Sequence, residues 1–339
     1  MICPVDVAQD RAMAALLGGA LGDAAGMPSQ TLSRAEIAAR HGRINDLIAP
    51  DPGHPVSHGL RAGQITDDTE QTLLLARRLI ADAPGFDQIA WAHDLLNWEA
   101  GIAARGLRDL LGPSTKRALE RLLAGVPPDQ TGLQGTTNGA AMRIGPVGIA
   151  TPPGDPAAMA ARVATVSRVT HATAEAIAAA SAVAMVISCG VAGMSFERAI
   201  PPALAAARAG AALGAQTGAR DMAGRIALAL RLADGGDAVA LADGIGTSVA
   251  SSASVAAAFG VVRLAAGDPW TAALIAANLG DDTDTIGAIA CGMAAACAGR
   301  AALPQDKVAL VLSVNRLDLA PLVADLVAMR RAVGMQRAS

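Results

Sequence analysis

Apolar residues recur along the chain at the spacing of α-helices, and alternating runs typical of β-strands are hard to find. The pattern therefore predicts a nearly all-α fold. No linker divides the series, so residues 1–339 are expected to form a single compact domain. The predicted helices cover residues 7–25, 69–82, 86–99, 114–124, 139–150, 155–167, 172–192, 195–212, 219–233, 250–266, 270–279, 284–299, 304–314 and 317–333.

Two stretches, 176–194 and 244–262, contain no charged residue over about the length of a membrane span. Alanine, serine and glycine dominate both, and their flanks lack a basic bias or an aromatic belt. We therefore expect no membrane insertion and place both stretches as central helices of the bundle, apolar on all sides.

Composition narrows the class of protein further. With 52% apolar residues, a chain of 339 residues can bury a deep core. The charge of 27 minus 30, or −3, comes without a basic block, so nucleic acid is not an expected partner. The four cysteines lack paired spacing, and no secretory signal is recognised, which favours buried thiols and a cytoplasmic location. They are Cys3, Cys189, Cys291 and Cys297.

Two long irregular segments, 27–64 and 126–138, interrupt the helical pattern. Long loops in a compact domain are usually functional, so we expect both to wall one pocket. His54 and His58 lie in the first segment, where they are either metal ligands or solvated side chains. Sites built from hard oxygen ligands rarely recruit such a pair, which favours the solvated alternative.

Two acidic runs lie far apart in the sequence, and each precedes an apolar segment that is predicted to be a helix. They are Thr66-Asp67-Asp68-Thr69 and Asp282-Thr283-Asp284-Thr285. Either run alone is explained by ordinary helix capping. Both contain more acids than capping requires, and clustered carboxylates repel unless a cation neutralises them. Oxygen ligands without nearby cysteine or histidine select Mg²⁺ or Mn²⁺ over Zn²⁺.

Five motifs in this order resemble the ADP-ribosylglycohydrolase family and span roughly residues 9–300. The resemblance implies an all-α orthogonal helical bundle with two Mg²⁺ or Mn²⁺ ions at the base of a cleft, under the ribose of the substrate. In chain order the motifs are Leu21-Gly22-Asp23-Ala24-Ala25-Gly26, the first acidic run, Asn138-Gly139-Ala140-Ala141-Met142-Arg143 with Pro146 and Gly148, Thr170-His171, and the second acidic run.

The resemblance also assigns roles to individual residues. Asp284 would bridge the ions, Arg143 would shape the phosphate side of the pocket, and His171 would lie at its rim. The alternatives are a structural ion pair for Arg143 and a buried, hydrogen-bonded imidazole for His171; Asp23 is assigned to bracing the first helix. The implied metal ligands are Thr66, Asp67, Asp68, Asp282, Asp284 and Thr285, and the implied substrate residues are Asn138, Gly139, Met142, Arg143 and His171.

Gln30 departs from the family pattern, in which a glutamate usually follows the first motif at this distance. An amide cannot act as a general base, although it can hydrogen-bond a ribose hydroxyl or a water. Two hypotheses follow: hydrolysis with Asp67 or Asp68 accepting the proton, or a member that only binds ADP-ribose or a nucleotide. The complete set of implied metal ligands favours hydrolysis, with Gln30, Asp67 and Asp68 as catalytic residues.

The expected reaction is cleavage of the C1 glycosidic bond of ribose through an oxocarbenium-like transition state. Adenine is usually held by aromatic stacking, yet the chain has no tyrosine, and neither the 131–143 loop nor the surroundings of His171 contain an aromatic residue. Trp91 and Trp98 are assigned to the core. An ADP-ribosylated protein and a smaller riboside both stay open as partners. A Mg²⁺-dependent phosphohydrolase is disfavoured because the ordered motifs do not fit that class.

Overall fold

Eighteen α-helices and two short 3₁₀ segments, Met27–Ser29 and Arg300–Ala302, make up the protein in a computed structural model that describes residues 6–107, 111–218 and 221–338. The helices are α1 (Val7–Gly26), α2 (Arg34–His41), α3 (Asp67–Asp82), α4 (Gln88–Ala104), α5 (Pro113–Leu123), α6 (Pro128–Thr131), α7 (Gly139–Met142), α8 (Gly145–Ala150), α9 (Pro156–Ser167), α10 (Ala174–Val191), α11 (Phe196–Ala211), α12 (Met222–Ala233), α13 (Ala238–Ile245), α14 (Ser251–Leu264), α15 (Pro269–Ala277), α16 (Thr283–Ala298), α17 (Gln305–Asn315) and α18 (Ala320–Ala338).

The all-α prediction is confirmed, and the described residues contain no β-sheet. The main departures concern short helices. The predicted helix 139–150 is divided into α7 and α8, because Pro146 occupies the first turn of a new helix. Helices α2, α6 and α13 were not predicted. Helix α2 begins with a complete capping box between Ser33 and Glu36, a signal present in the sequence.

Helix α10 forms the centre of the bundle. All of its residues are buried, and α9, α11 and α16 pack around it. Its length and mean hydropathy of 1.8 would suffice for a membrane span, yet the whole helix is enclosed by the protein. The prediction of a central helix at 176–194 is therefore confirmed. The stretch 244–262 is divided instead between the end of α13, a turn and α14.

The predicted core assignments are mostly confirmed. Cys189 and Cys291 are buried free thiols, and burial raises the pKa of Cys189 to about 11. Cys297 is only partly buried, and Cys3 lies outside the described residues. Trp91 is fully buried in the core, whereas Trp98 is only partly buried and its indole N–H donates to Oε2 of Glu70 at 2.8 Å.

Helix α1 lies against α16 along a stripe of glycines, Gly18, Gly22 and Gly26, spaced four residues apart on one face. A Cβ atom added at Gly22 would lie 2.0 Å from the carbonyl oxygen of Gly287 in α16. At Gly26 it would lie 2.3 Å from the carbonyl oxygen of Thr283. The two backbones therefore touch directly, and this contact places the end of α1 beside the start of α16.

We predict that Gly22→Ala destabilises the protein by about 1–3 kcal/mol, because the added methyl group meets backbone that cannot move aside. Gly19→Ala is the matched control on the same helix, since its Cβ would have no neighbour nearer than 3.9 Å. The control should be neutral or stabilising by up to ~1 kcal/mol through helix propensity. Urea unfolding measures both free energies. Equal effects of the two substitutions would contradict direct backbone contact.

Candidate metal and substrate site

The starts of α3 and α16 bring the two acidic runs together. Thr66 caps α3, so Asp67 and Asp68 occupy its first turn, and Asp284 occupies the first turn of α16. The hydroxyl of Thr285 donates to Oδ2 of Asp68 over 3.3 Å, which joins residues 217 positions apart. The positive ends of two helix dipoles therefore point at one cluster of carboxylates.

Asp23 fixes the start of α3. Its carboxylate accepts hydrogen bonds from the backbone N–H and hydroxyl of Thr66, the latter at 2.8 Å, and from those of Thr69, the hydroxyl at 2.5 Å. From the sequence, Asp23 was expected to brace its own helix, α1. In the structure, Asp23 instead positions the first acidic run at the start of α3. The sequence signal that could have indicated this role is an aspartate next to the glycines of α1 that contact α16.

The carboxylates carry an electrostatic cost in the absence of a cation. Burial raises the pKa of Asp284 to about 8, with repulsion from Asp282 as the next cause, and burial raises the pKa of Asp23 to about 7 despite the Thr69 hydrogen bond. For Asp67 and Asp68, burial and then repulsion from Asp284 raise the pKa well above the ordinary value. Such a cluster is stable as anions only with a compensating charge.

The donor set fits a hard cation. Oδ1 of Asp68 is buried without a hydrogen-bond partner among the described residues. The hydroxyls of Thr66 and Thr285 lie 3.2 and 3.3 Å from its Oδ2. Counting only Cys, His, Asp and Glu side chains, no three in the described ranges are disposed around one ion. The fit therefore depends on threonine oxygens, ligands of the kind that Mg²⁺ accepts.

A pocket of about 190 Å³ opens over the acidic cluster. Asn138 is buried in its wall and donates from Nδ2 to Oγ of Ser254 at 2.8 Å and to Oδ2 of Asp282. The lining residues are Gln30, Thr31, Val56, Asp67, Leu111, Gly112, Pro113, Thr115, Thr137, Asn138, Gly139, Met142, Val249, Asp282, Asp284 and Thr285. The structure thus gathers most residues predicted for the site, with Thr66 and Asp68 just behind the lining.

Arg143 and His171 lie behind the pocket wall, with exposures of 1% and 0%. Arg143 donates to Oε1 of Gln71 at 2.5 Å and to the hydroxyl of Thr170. The imidazole of His171 joins Thr170 to Thr137, at 2.8 and 3.0 Å. His171 is therefore not at the rim, and Arg143 forms hydrogen bonds in place of an ion pair.

Burial sets the charge of these two side chains. It lowers the pKa of His171 well below the ordinary value, with Arg143 adding repulsion, so the imidazole is neutral. Burial also lowers the pKa of Arg143 to about 10, which leaves the guanidinium charged. Gln71 in turn donates to Oδ2 of Asp67 over 3.2 Å. One chain of hydrogen bonds thus runs from an acid of the cluster to Thr137 in the pocket lining.

Gln30 is held by the loop that contains the two histidines. Its Nε2 donates to Oγ of Ser57 at 2.8 Å, and that hydroxyl donates to the carbonyl of Met27 at 2.9 Å. His54 is buried, and its Nδ1 accepts the backbone N–H of Ser57 at 2.8 Å. The expectation of a solvated side chain is correct for His58 and wrong for His54, which stabilises this turn.

Comparison with known proteins identifies relatives of the whole chain. The model of the family described as ADP-ribosylglycohydrolase matches residues 4–334. The protein YegU of Escherichia coli (strain K12) is 32% identical over 314 residues, 91% of this chain and 94% of that one. A solved structure titled ADP-ribosylglycohydrolase-related protein complex has a TM-score of 0.67 and 27% identity, and the match covers 96% of this chain and 99% of that chain.

Two further relatives match part of the chain. The ADP-ribosyl-[dinitrogen reductase] glycohydrolase of Rhodospirillum rubrum is 33% identical over 48% of this chain and 51% of its own length. The ADP-ribosylarginine hydrolase Tri1 of Pseudomonas putida (strain GB-1) is 32% identical over 42% of this chain and 36% of its own length.

We predict that, with a chelator present, the free energy of unfolding falls as the pH rises from 3.8, the ordinary aspartate value, towards about 8, the pKa of Asp284. The native carboxyl groups keep protons that the unfolded chain has released, so native stability is lost as these groups ionise. Saturating Mg²⁺ should remove or reverse the trend, because it binds the ionised carboxylates. Urea unfolding across this range tests it; stability that rises with pH in chelator would contradict the charge repulsion.

Proposed function

Because the chain belongs to the ADP-ribosylglycohydrolase family, we propose that it is a metal-dependent hydrolase that cleaves the C1 glycosidic bond of a ribosyl group. Family membership supports a glycosyl hydrolase in general. The observation that carries the specific proposal is the convergence of the two acidic runs beneath a pocket lined by Gln30 and Asn138. The names of two relatives specify ADP-ribosyl substrates, so the bond cleaved here is an N- or O-ribosyl bond in such a substrate or in a smaller riboside.

Two ions of Mg²⁺ or Mn²⁺ would neutralise the carboxylates and polarise hydroxyl groups near them. Their ligands would be Thr66, Asp67, Asp68, Asp282, Asp284 and Thr285. Asn138 already holds the carboxylate of Asp282 in place through its amide. A fixed donor set of this kind pre-organises the site before the substrate arrives.

Asp67 is the preferred proton acceptor, because it lines the pocket whereas Asp68 does not. In the reaction, a water oxygen would bond to C1 of the ribose and pass a proton to Asp67. The bond between C1 and the aglycone would break, and its electron pair would leave with the aglycone, which takes up a proton from solvent while Asp67 releases its own to solvent. Asp284 would stabilise the positive charge that develops on the sugar.

The amide of Gln30 favours one alternative, a protein that binds its ligand without hydrolysis. Its Nε2 is anchored to Ser57. This leaves the side chain able to hold a ribose hydroxyl but unable to act as a base. Binding of a ribosyl ligand without release of any product would support this alternative over hydrolysis.

We predict that Asp284→Asn lowers kcat by at least about 100-fold and abolishes tight binding of Mn²⁺, because it removes a charge from the centre of the cluster. The matched control is Asp281→Asn, three positions earlier in the chain and just before α16 begins. Asp281 is exposed and has a positive φ of 67°, a conformation that asparagine adopts readily. Product release by mass spectrometry and titration calorimetry with Mn²⁺ measure the two effects. Unchanged turnover in Asp284→Asn, or after metal removal, would exclude the mechanism.

We predict that Gln30→Glu lowers both kcat and Tm. The hydroxyl of Ser57 already gives its proton to Met27 and accepts from Gln30. A carboxylate there would face an oxygen without a free proton, at a cost of about 1–3 kcal/mol.

Gln64→Glu is the control for that substitution, in the segment that precedes α3. The amide oxygen of Gln64 accepts the backbone N–H of Arg61 at 3.1 Å, and a carboxylate can accept it equally well. A large increase in turnover, about 100-fold, would instead mean that Gln30 merely lacks the base of its relatives.

A further inference from the structure

Thr137 lies where the hydrogen-bond chain behind the wall reaches the pocket. Its side chain lines the pocket and is partly exposed. Its hydroxyl oxygen lies 3.0 Å from Nε2 of His171, and this is the one hydrogen bond of that hydroxyl among the described residues. If His171 supplies the proton of this bond, Thr137 keeps its own proton for the pocket. If Thr137 supplies it, the hydroxyl offers the pocket only lone pairs.

The other end of the chain decides which of the two groups donates. Arg143 has donors only, so the hydroxyl oxygen of Thr170 accepts from it. Thr170 is fully buried, and its own proton must also find an acceptor. The acceptor that the structure describes for it is Nδ1 of His171, at 2.8 Å. A buried hydroxyl proton without a partner is costly, and therefore Thr170 donates to His171.

This direction fixes the tautomer of His171. Burial lowers the pKa of the imidazole well below its ordinary value, so the ring carries a single proton. Because Nδ1 accepts from Thr170, that proton is on Nε2. The Nε2–H group then donates to the hydroxyl oxygen of Thr137. The opposite tautomer would turn a proton on Nδ1 towards the proton of Thr170.

Both partners of this last hydrogen bond are held in place. The backbone N–H of Thr137 donates to Oγ of Ser114 over 3.4 Å, and its carbonyl accepts the hydroxyl of Ser251 at 2.8 Å. A Cβ atom added at Gly139 would lie 2.7 Å from Cε1 of His171, so the imidazole packs directly against the backbone of the pocket wall. The polarity of the Thr137 hydroxyl is therefore set before any ligand arrives.

We infer that Thr137 donates its hydroxyl proton to an oxygen atom of the sugar bound in the pocket, and that His171 is the positioning residue that keeps this proton available. This inference rests on the proposed function and adds a substrate contact to it. Sugar hydroxyl oxygens are acceptors with two lone pairs each, which suits such a donor. Each hydrogen bond in the chain polarises the next, beginning at the charged guanidinium of Arg143, and this strengthens the final donor.

Substitutions at Thr137 test the contact with the sugar. The probes are ADP-ribose and ribose 5-phosphate, which share one sugar, and titration calorimetry with saturating Mn²⁺ measures their affinity. Thr137→Val keeps the shape of the side chain without the hydroxyl, and it should weaken the binding of both probes by about three- to ten-fold. Thr137→Ser keeps the hydroxyl and should keep the affinity. The affinity for Mn²⁺ alone should be the same in all three proteins, because Thr137 is not an implied metal ligand.

Thr136→Val is the matched control. Thr136 precedes Thr137, is also partly exposed, and lies outside the pocket lining. Its replacement should leave the affinity for both probes unchanged. If Thr137→Val does not fold, as judged by circular dichroism, Thr137→Ala takes its place, since the smaller side chain leaves room for a water beside His171.

The tautomer of His171 can be measured without any ligand. Long-range correlation of ring protons with ¹⁵N in histidine-labelled protein shows which nitrogen carries the proton. The chain has five histidines, and the signals of His171 are assigned by replacing the other four with glutamine, one at a time. We expect the proton on Nε2. A proton on Nδ1 would overturn the inference, because Thr137 would then donate into the wall.

The outcomes separate this inference from the proposed hydrolysis. Equal affinity of Thr137→Val and the natural chain for the probes would overturn the inference and leave hydrolysis intact. A Thr137→Val protein that loses Mn²⁺ affinity to the same extent would also overturn it, because the effect would then be a general distortion of the site. If the natural chain binds the probes and releases no product from any ribosyl substrate, hydrolysis fails and the affinities still decide the inference. If neither probe binds, the sugar contact is wrong whatever the tautomer.

Discussion

Repulsion among buried carboxylates is the constraint on which the rest of this site depends. Asp23, Asp67, Asp68 and Asp284 lie together away from solvent, where each ionised group raises the pKa of the next. The fold compensates in two ways: hydrogen bonds from threonines hold Asp23, and two helices begin at the cluster with their positive dipole ends. Neither supplies a full positive charge, so the ionised carboxylates still require a cation to neutralise them.

The cluster can exist only because α1 and α16 touch through their backbones. Side chains at Gly22 or Gly26 would separate the two helices and move Asp23 away from the run that contains Asp284. An interior made largely of alanine and glycine has the same effect elsewhere, since small side chains bring helix axes close. The composition that gives α10 the hydropathy of a membrane span is thus the composition of a tightly packed core helix, enclosed on every side.

Much of the fold and the acidic half of the site could be predicted, because helical periodicity and clustered acids are local signals. Contacts between distant side chains carry no such signal. The partners of Asp23 and Gln30, namely Thr69 and Ser57, lie in other elements, and the burial of His54 depends on how its loop folds back. Short helices such as α13 were missed because tertiary packing, rather than their own periodicity, determines them. By contrast, the division of the predicted helix 139–150 into α7 and α8 could have been predicted from Pro146.

The hydrogen-bond chain behind the pocket implies that some positions of the site tolerate substitution during evolution far less than others. The chain consists of side chains with matched donors and acceptors, namely Gln71, Arg143, Thr170 and His171. A substitution at one of these positions leaves its buried neighbours without a hydrogen-bond partner. Among related proteins, we expect these four residues to be substituted together or to stay unchanged. The side chain of Val249, which also lines the pocket, is aliphatic and takes no part in this chain. New substrate preferences can therefore arise by drift at the front of the pocket, while the back preserves the geometry that chemistry needs.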